Sequence, residues 1–351
     1  MDAAGRVLCH ANFARQIGGL TYFNSVIQSK TMKLDHIDNL YKAEAQKILL
    51  FRECYALEKI HGTAASVSYD PLQDKVIFQS GGEKYNNFIA LFDEEKLLEA
   101  FRNSSAPKDK RINIFGECYG ASQQGMSNTY GKSLKFIAFD VQIGESWLDV
   151  PNGEKFANDF GLEFVPWTKV STDLAALDAE RDAPSVQAIR NGVSMIVPEG
   201  ADFDCPAGTK VEPYGKFGDR IVNPRKREGV VLRPLIEVRT NSGDRVMAKH
   251  KGAEFQETAT PRPVVDPSKM IVLDEANAIA EEWVVKERLL HVLDKIEGER
   301  DMKLIPKLLP AMQEDVRRES KGEVIWSDAV AKAIGKKAVE LYKAYLNSKI
   351  C

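Results

Sequence analysis

Glu58-Lys59-Ile60-His61-Gly62 sets a lysine amine beside a carboxylate, with a glycine three residues further on. A lysine amine can attack the α-phosphate of ATP, expel pyrophosphate and keep the nucleotide as a phosphoramidate. Its reference pKa near ~10.4 leaves it protonated at neutral pH, so it needs desolvation or cationic neighbours to become a nucleophile. Gly62 would let the backbone pass close to a nucleotide. A K-x-x-G tetrapeptide also arises by chance, so the case depends on the segments that follow.

Four segments supply what this chemistry lacks. In Ile114-Phe115-Gly116-Glu117-Cys118-Tyr119-Gly120, Glu117 ends an apolar strand and could accept from ribose hydroxyls, although an acidic turn would read the same way. In Phe136-Ile137-Ala138-Phe139-Asp140-Val141 an aromatic could stack on adenine, a contact worth on the order of 1–3 kcal/mol, or simply fill the core. Glu228 heads the apolar run Val230-Val231-Leu232, a place from which it could hold a divalent metal or its water shell. In Ala248-Lys249-His250-Lys251-Gly252, residues two apart share one strand face. Lys249 and Lys251 would therefore point together at a triphosphate and help depress the pKa of Lys59. The alternative is an exposed edge strand guarded by lysines.

The elements that must position these groups are short. Apolar periodicity within residues 32–59 (Leu40, Ala43, Ile48, Leu49) predicts a helix leading into a strand at Tyr55–Leu57. Val76–Phe78, Ile112–Phe115, Phe136–Phe139 and Val230–Leu232 read as buried strands. Helices are predicted at about 93–102, with Asp93 as cap, and at about 153–160. The pattern is α+β with a largely antiparallel sheet. Pro261, Pro263 and Pro267 mark a linker over 254–269, dividing a domain of residues 1–253 from one of 270–351. The second domain reads as all-helical, with stretches at 274–297, 302–319 and 327–348 and glycines 322 and 335 as the interruptions.

A net charge of −3 gives no global nucleic-acid signal, so clusters such as Lys108, Lys110, Arg111 and Arg225-Lys226-Arg227 would have to bind strand ends locally. Five scattered cysteines without a C-x-x-C pair point away from structural zinc and disulfides and toward a reducing cytoplasm. No apolar run reaches membrane-spanning length and no signal-peptide core is present, so a soluble, monomeric, cytoplasmic protein is expected.

Taken in order, the five segments resemble the RNA ligase 2 family of ATP-dependent covalent nucleotidyltransferases over about residues 55–252. The resemblance implies an adenylyltransferase core of antiparallel sheets flanked by helices, and a helical C-terminal domain where DNA ligases and capping enzymes carry an OB-fold. It implies that Lys59 is the adenylated nucleophile. Glu58, Ile60 and Gly62 would line the nucleotide, Glu58 reading the adenine edge. Glu117 would bind ribose, Phe139 stack on adenine, and Lys249 and Lys251 hold phosphates. Glu228, with Glu117, would support Mg²⁺ or Mn²⁺, through water. The implied activity is sealing of 5′-phosphate and 3′-hydroxyl RNA ends with ATP. Two departures concern the strand-joining steps: Ala64 stands where the family has asparagine, and Phe78–Lys84 lacks its arginine. The alternatives are a DNA ligase or RNA-capping nucleotidyltransferase, or an end-binding protein that does not seal.

Overall fold

The computed structural model describes residues 34–348 except 207, 216–217, 261–263 and 265–274. Ile37–Cys351 forms one compact unit, and the site and cores described below lie within it. Pro261, Pro263 and Pro267, the expected linker prolines, and Cys9 and Cys351 lie outside the described residues.

In chain order the elements are β1 (Glu53–Glu58), β2 (Thr63–Asp70), β3 (Lys75–Ser80), α1 (Tyr85–Ile89), α2 (Glu94–Asn103), β4 (Ile112–Gly120), α3 (Ser127–Tyr130) and β5 (Leu134–Ile143). There follow β6 (Ser146–Trp147), α4 (Val150–Asp159), β7 (Trp167–Ser171), α5 (Leu174–Asp182), α6 (Val186–Arg190), β8 (Met195–Val197), β9 (Val211–Tyr214) and β10 (Asp219–Val222). Strands β11 (Gly229–Pro234) and β12 (Ala248–Lys251) precede four helices, α7 (Ala276–Trp283), α8 (Lys286–Lys295), α9 (Ile305–Glu319) and α10 (Asp328–Ser348).

Every pairing between these strands is antiparallel, as the α+β reading expects. One sheet runs β12-β11-β1-β7, a second β3-β2-β4-β5-β6, and β8-β10-β9 form a third. Cys54, Ala56, Val230 and Leu232 bury one face of the first sheet against Leu40, Ile48 and Leu177. Leu57 and Val231, on the other face, join the larger core of the second sheet. Apolar layers on both faces explain why β11 reads as an unbroken apolar run. The larger core is aromatic: Phe101 stacks on Tyr69 at 5.3 Å and is 1% exposed. Its removal would cost about 3–5 kcal/mol.

Local signals placed several elements well. Asp93 caps α2 by accepting from the Lys96 amide at 3.2 Å, and Asp149 caps α4 from the Asn152 amide at 3.0 Å. The helix expected within 32–59 is reduced to a 3-10 turn at Ala45–Leu50. Upstream of it, Asn39 makes a parallel bridge to Lys249, so pairing with the open edge of β12 overrides the helical periodicity. The stretch 274–297 divides into α7 and α8 at the β-branched pair Val284-Val285. Gly335, expected as an interruption, lies inside α10 against Gln313 and Leu309 of α9. The α7–α10 segment has its own core around Trp283, Leu308 and Tyr342. Before it, Glu257 is buried, and Ala259 donates to the Glu282 carbonyl at 2.7 Å. No helix among the described residues is long and apolar enough to cross a membrane.

Candidate active site

Residues 59–62 carry the chain from β1 of the first sheet to β2 of the second. Both ends of this link are tied: the Lys59 amide donates to the Gly229 carbonyl at 2.9 Å, and the Gly62 amide to Glu117 Oε1 at 3.1 Å. Gly62 is required by space, since a Cβ there would lie 2.3 Å from the Cys118 carbonyl oxygen. Gly229 has φ +149° and would set a Cβ 2.1 Å from the His250 carbonyl.

Pairing of Glu58 with Val230 across β1 and β11 brings Lys59 beside Glu228. Lys59 Nζ donates to Glu228 Oε2 at 2.9 Å, and His61 Nδ1 lies 3.0 Å from the same oxygen. Pairing of Gly229 with Lys251 puts Lys251 Nζ 2.9 Å from the other oxygen, Oε1. Burial alone would push this carboxyl up; Lys251, Lys59 and His61 overcome it and hold Glu228 well below the usual carboxylate range. Lys251 is correspondingly pushed up by Glu228 and Glu257, against the pull of burial.

Glu117 reaches the same cavity from β4, where it pairs with Ala64 of β2. The residue is half-buried, but its carboxyl is shielded, and that desolvation pushes it up to about 8 against the attraction of Lys59. Glu228 and Asp294 add to the rise. One site thus holds two carboxyl groups with opposite tendencies, an arrangement typical of functional sites.

Lys249 and Lys251 do share a strand face, but not an exposed one: all four residues of β12 are buried. Lys249 Nζ lies 3.6 Å from Glu319 Oε1 at the end of α9, and Lys251 donates to Glu257 Oε1 at 2.5 Å. Glu257 also meets His291 Nδ1 of α8 at 2.9 Å.

The structure therefore gathers Lys59, Gly62, Glu117 and Glu228 around one cavity of about 230 Å³. The other five expected residues do not line it: Lys249 and Lys251, held as described above, and Glu58, Ile60 and Phe139. Glu58 is 2% exposed and caps α6, accepting from Ser185 Oγ at 2.5 Å and from the amides of Val186 and Gln187 at 2.9 and 3.2 Å. Ile60 is core. Phe139 is the unpaired residue of a bulge in β5, because Phe115 faces Asp140 while Gly116 faces Ala138. It packs half-buried against the core and does not line the cavity.

Residues that the sequence reading missed complete the wall: Thr63, Gln124, and from α8 His291, Asp294 and Lys295. The signal for the three α8 residues was the polar i, i+3, i+4 face opposite Leu289, Val292 and Leu293. A second cavity of about 1040 Å³, lined by residues 79–85 and by Asp294 and 296–300, shares Gly81 and Asp294 with the first. Of the basic clusters, Arg227 is buried on Glu180 and Pro184, Lys226 pairs with Glu254, and Lys108 donates to the carbonyls of Arg102 and Ser104.

Among solved structures, the chain resembles Naegleria gruberi RNA ligase. An alanine variant with ATP and Mn shares 14% identity at a TM-score of 0.43, covering 64% of this chain and 58% of that one. The ligase with PPi shares 14% identity at a TM-score of 0.43, covering 64% and 57%. The chain thus spans less than two thirds of these ligases. No curated protein matches it. The family model described as RNA ligase matches residues 52–251, more than half of the chain and the interval from β1 through β12 that carries Lys59, Glu117 and Glu228. On that match, the chain belongs to the RNA ligase family.

Proposed function

We propose that this protein is an ATP-dependent RNA ligase that joins 5′-phosphate to 3′-hydroxyl ends through a lysyl-AMP on Lys59. The observation that carries the reading is the contact of Lys59 Nζ with Glu228 at 2.9 Å in a cavity that Glu117 also lines. In the first step the free Lys59 amine attacks the α-phosphorus of ATP. An N–P bond forms, the bond to the bridging oxygen breaks, pyrophosphate leaves, and the nitrogen releases one proton to water. Lys251 and Lys249 would neutralise the departing phosphates once these displace their carboxylate partners. A 5′-phosphate oxygen then takes AMP from Lys59: a P–O bond forms, the N–P bond breaks, and the departing nitrogen takes up a proton from water. Finally a 3′-hydroxyl attacks that phosphate, sealing the strand and releasing AMP and a proton. AMP leaves far more readily than a bare phosphate oxygen, so ATP drives the join.

The donor set suits a divalent cation at Glu117 better than at Glu228. Both oxygens of Glu228 already meet cationic partners, so a cation would reach it only through water. Glu117 has one oxygen on the Gly62 amide, and its raised pKa marks a carboxyl that a nearby cation would ionise. Mg²⁺ or Mn²⁺ bound there would supply charge neutralisation at the phosphates. Within the pocket Gly62 would line the nucleotide and Glu117 contact ribose, while Glu58 and Phe139 would act from behind the wall. The free Cys54 and Cys118, both pushed up to about 12 by burial, suit a reducing cytoplasm, and a monomer acting in RNA repair completes the proposal.

The test supplies ATP labelled in the α-phosphate and, in parallel, labelled GTP and NAD. Label from ATP retained on the wild type and absent from Lys59→Ala, with unchanged circular dichroism, is the expected result. A Lys59→Ala protein that still takes label would sink the assignment. Nicked and single-stranded RNA and DNA substrates then separate RNA sealing from DNA sealing, capping or end-binding without joining.

A further inference from the structure

Helix α8 lays its polar face on the lysine cavity and its apolar face in the helical core. Asp294 is one of the α8 residues on that cavity. It accepts from Thr63 and Gln124, and the backbone of Gly82 approaches so closely that a Cβ there would lie 2.3 Å from Asp294 Oδ1. Glu319 of α9 is 2% exposed and sits on Lys249, while its carbonyl takes a hydrogen bond from Lys42. Glu257 links the two sides, meeting both Lys251 and His291. The lysine cavity, of about 230 Å³, falls below the roughly 300 Å³ at which small-molecule pockets begin, and Asp294 lies on the wall it shares with the cavity of about 1040 Å³ beside it.

We propose that the helical C-terminal segment is a lid whose carboxylates, Asp294 and Glu319, hold the places of nucleotide phosphates, so that ATP binds only as the lid gives up Lys249 and withdraws Asp294. The proposal rests on the reading of Lys59 as the ATP-reactive residue. A ligand shifts a conformational equilibrium only by binding one state better, and here the closed state keeps Asp294 on the cavity wall and Lys249 on Glu319. Closure lowers apparent ATP affinity by the fraction of open molecules. Asp294 is itself uncomfortable when closed: burial raises its carboxyl, offset in part by Thr63 and His291.

The experiment measures the ATP concentration for half-maximal Lys59 labelling in the full-length wild type, Asp294→Asn and Glu319→Gln. Each neutral variant should need about five- to tenfold less ATP, the lower range of coupling between two ligands competing for one site. An unchanged or higher requirement in folded variants overturns the lid. A wild type that takes no label instead removes the Lys59 reading, so the two failures are distinct. Should a variant misfold, amide hydrogen exchange on the wild type decides. ATP should speed exchange across residues 286–295 and 305–319, and protection there overturns the proposal.

Discussion

Lys59 and Glu228 meet at 2.9 Å because β1 and β11 are paired one residue before and two residues after them, Glu58 against Val230. Glu228 is the hub of the site, since Lys251 and His61 converge on the same carboxylate. Glu228→Ala should therefore lower the rate of Lys59 labelling by about 10²–10³-fold, the scale for losing one preorganised electrostatic group. It should also destabilise the fold, because Lys251 would keep its burial and lose one of two counter-charges. Single-turnover labelling and denaturant melts check the two effects separately.

Glu117 and Glu228 give opposite dependences on pH. Glu117 is raised in the folded protein from 4.5 to about 8, so its contribution is complete below its unfolded value and fades as pH rises through about 8. Glu228 is lowered, so its contribution is present above its unfolded value and is lost on acidification. Between pH 5 and about 8 the melting temperature of wild type should fall relative to Glu117→Gln. Parallel melting curves for the two proteins across that window would falsify the assignment of a buried, neutral carboxyl.

Glu58 is predicted to act on stability. Its carboxylate satisfies one hydroxyl and two backbone amides at the start of α6. Glu58→Ala leaves those buried donors open and should cost about 1–3 kcal/mol in urea unfolding. If stability is unchanged while labelling collapses, the carboxylate serves the nucleotide directly.

Ala64 bears on the joining steps. It is exposed on the cavity wall opposite Glu117, where the resembling family has an asparagine. The wild type should accumulate AMP-capped RNA during sealing, and Ala64→Asn should reduce that accumulation several-fold while labelling of Lys59 stays the same. Gel analysis of capped and joined strands reads both quantities in one reaction.

The lysine motif was legible because its requirements are local. Lys59 needs a glycine three residues on, and Gly62 is fixed by the 2.3 Å approach of the Cys118 carbonyl. Glu228 stood out because it borders an apolar strand, whereas Glu117, expected at the end of one, lies inside β4, three residues before its end. Phe139 was harder. Its strand was recognisable, but one bulge between Phe115 and Gly116 decides where its ring points, and no local pattern encodes that slip. Glu58 was misleading for a similar reason: its neighbour in sequence is Lys59, the proposed nucleophile, while its neighbours in space are Ser185, Val186 and Gln187.

By itself, the sequence determined the α+β character, the helical C-terminal stretches and the order of the groups around Lys59, because each follows from periodicity, strand composition or short spacing. Only the tertiary structure decided what those groups touch. Lys249 and Lys251 share a strand face in either description, yet whether that face meets water, phosphate or Glu319 depends on a helix some seventy residues downstream. Such ion pairs depend on distance and desolvation, both set by packing of the whole chain.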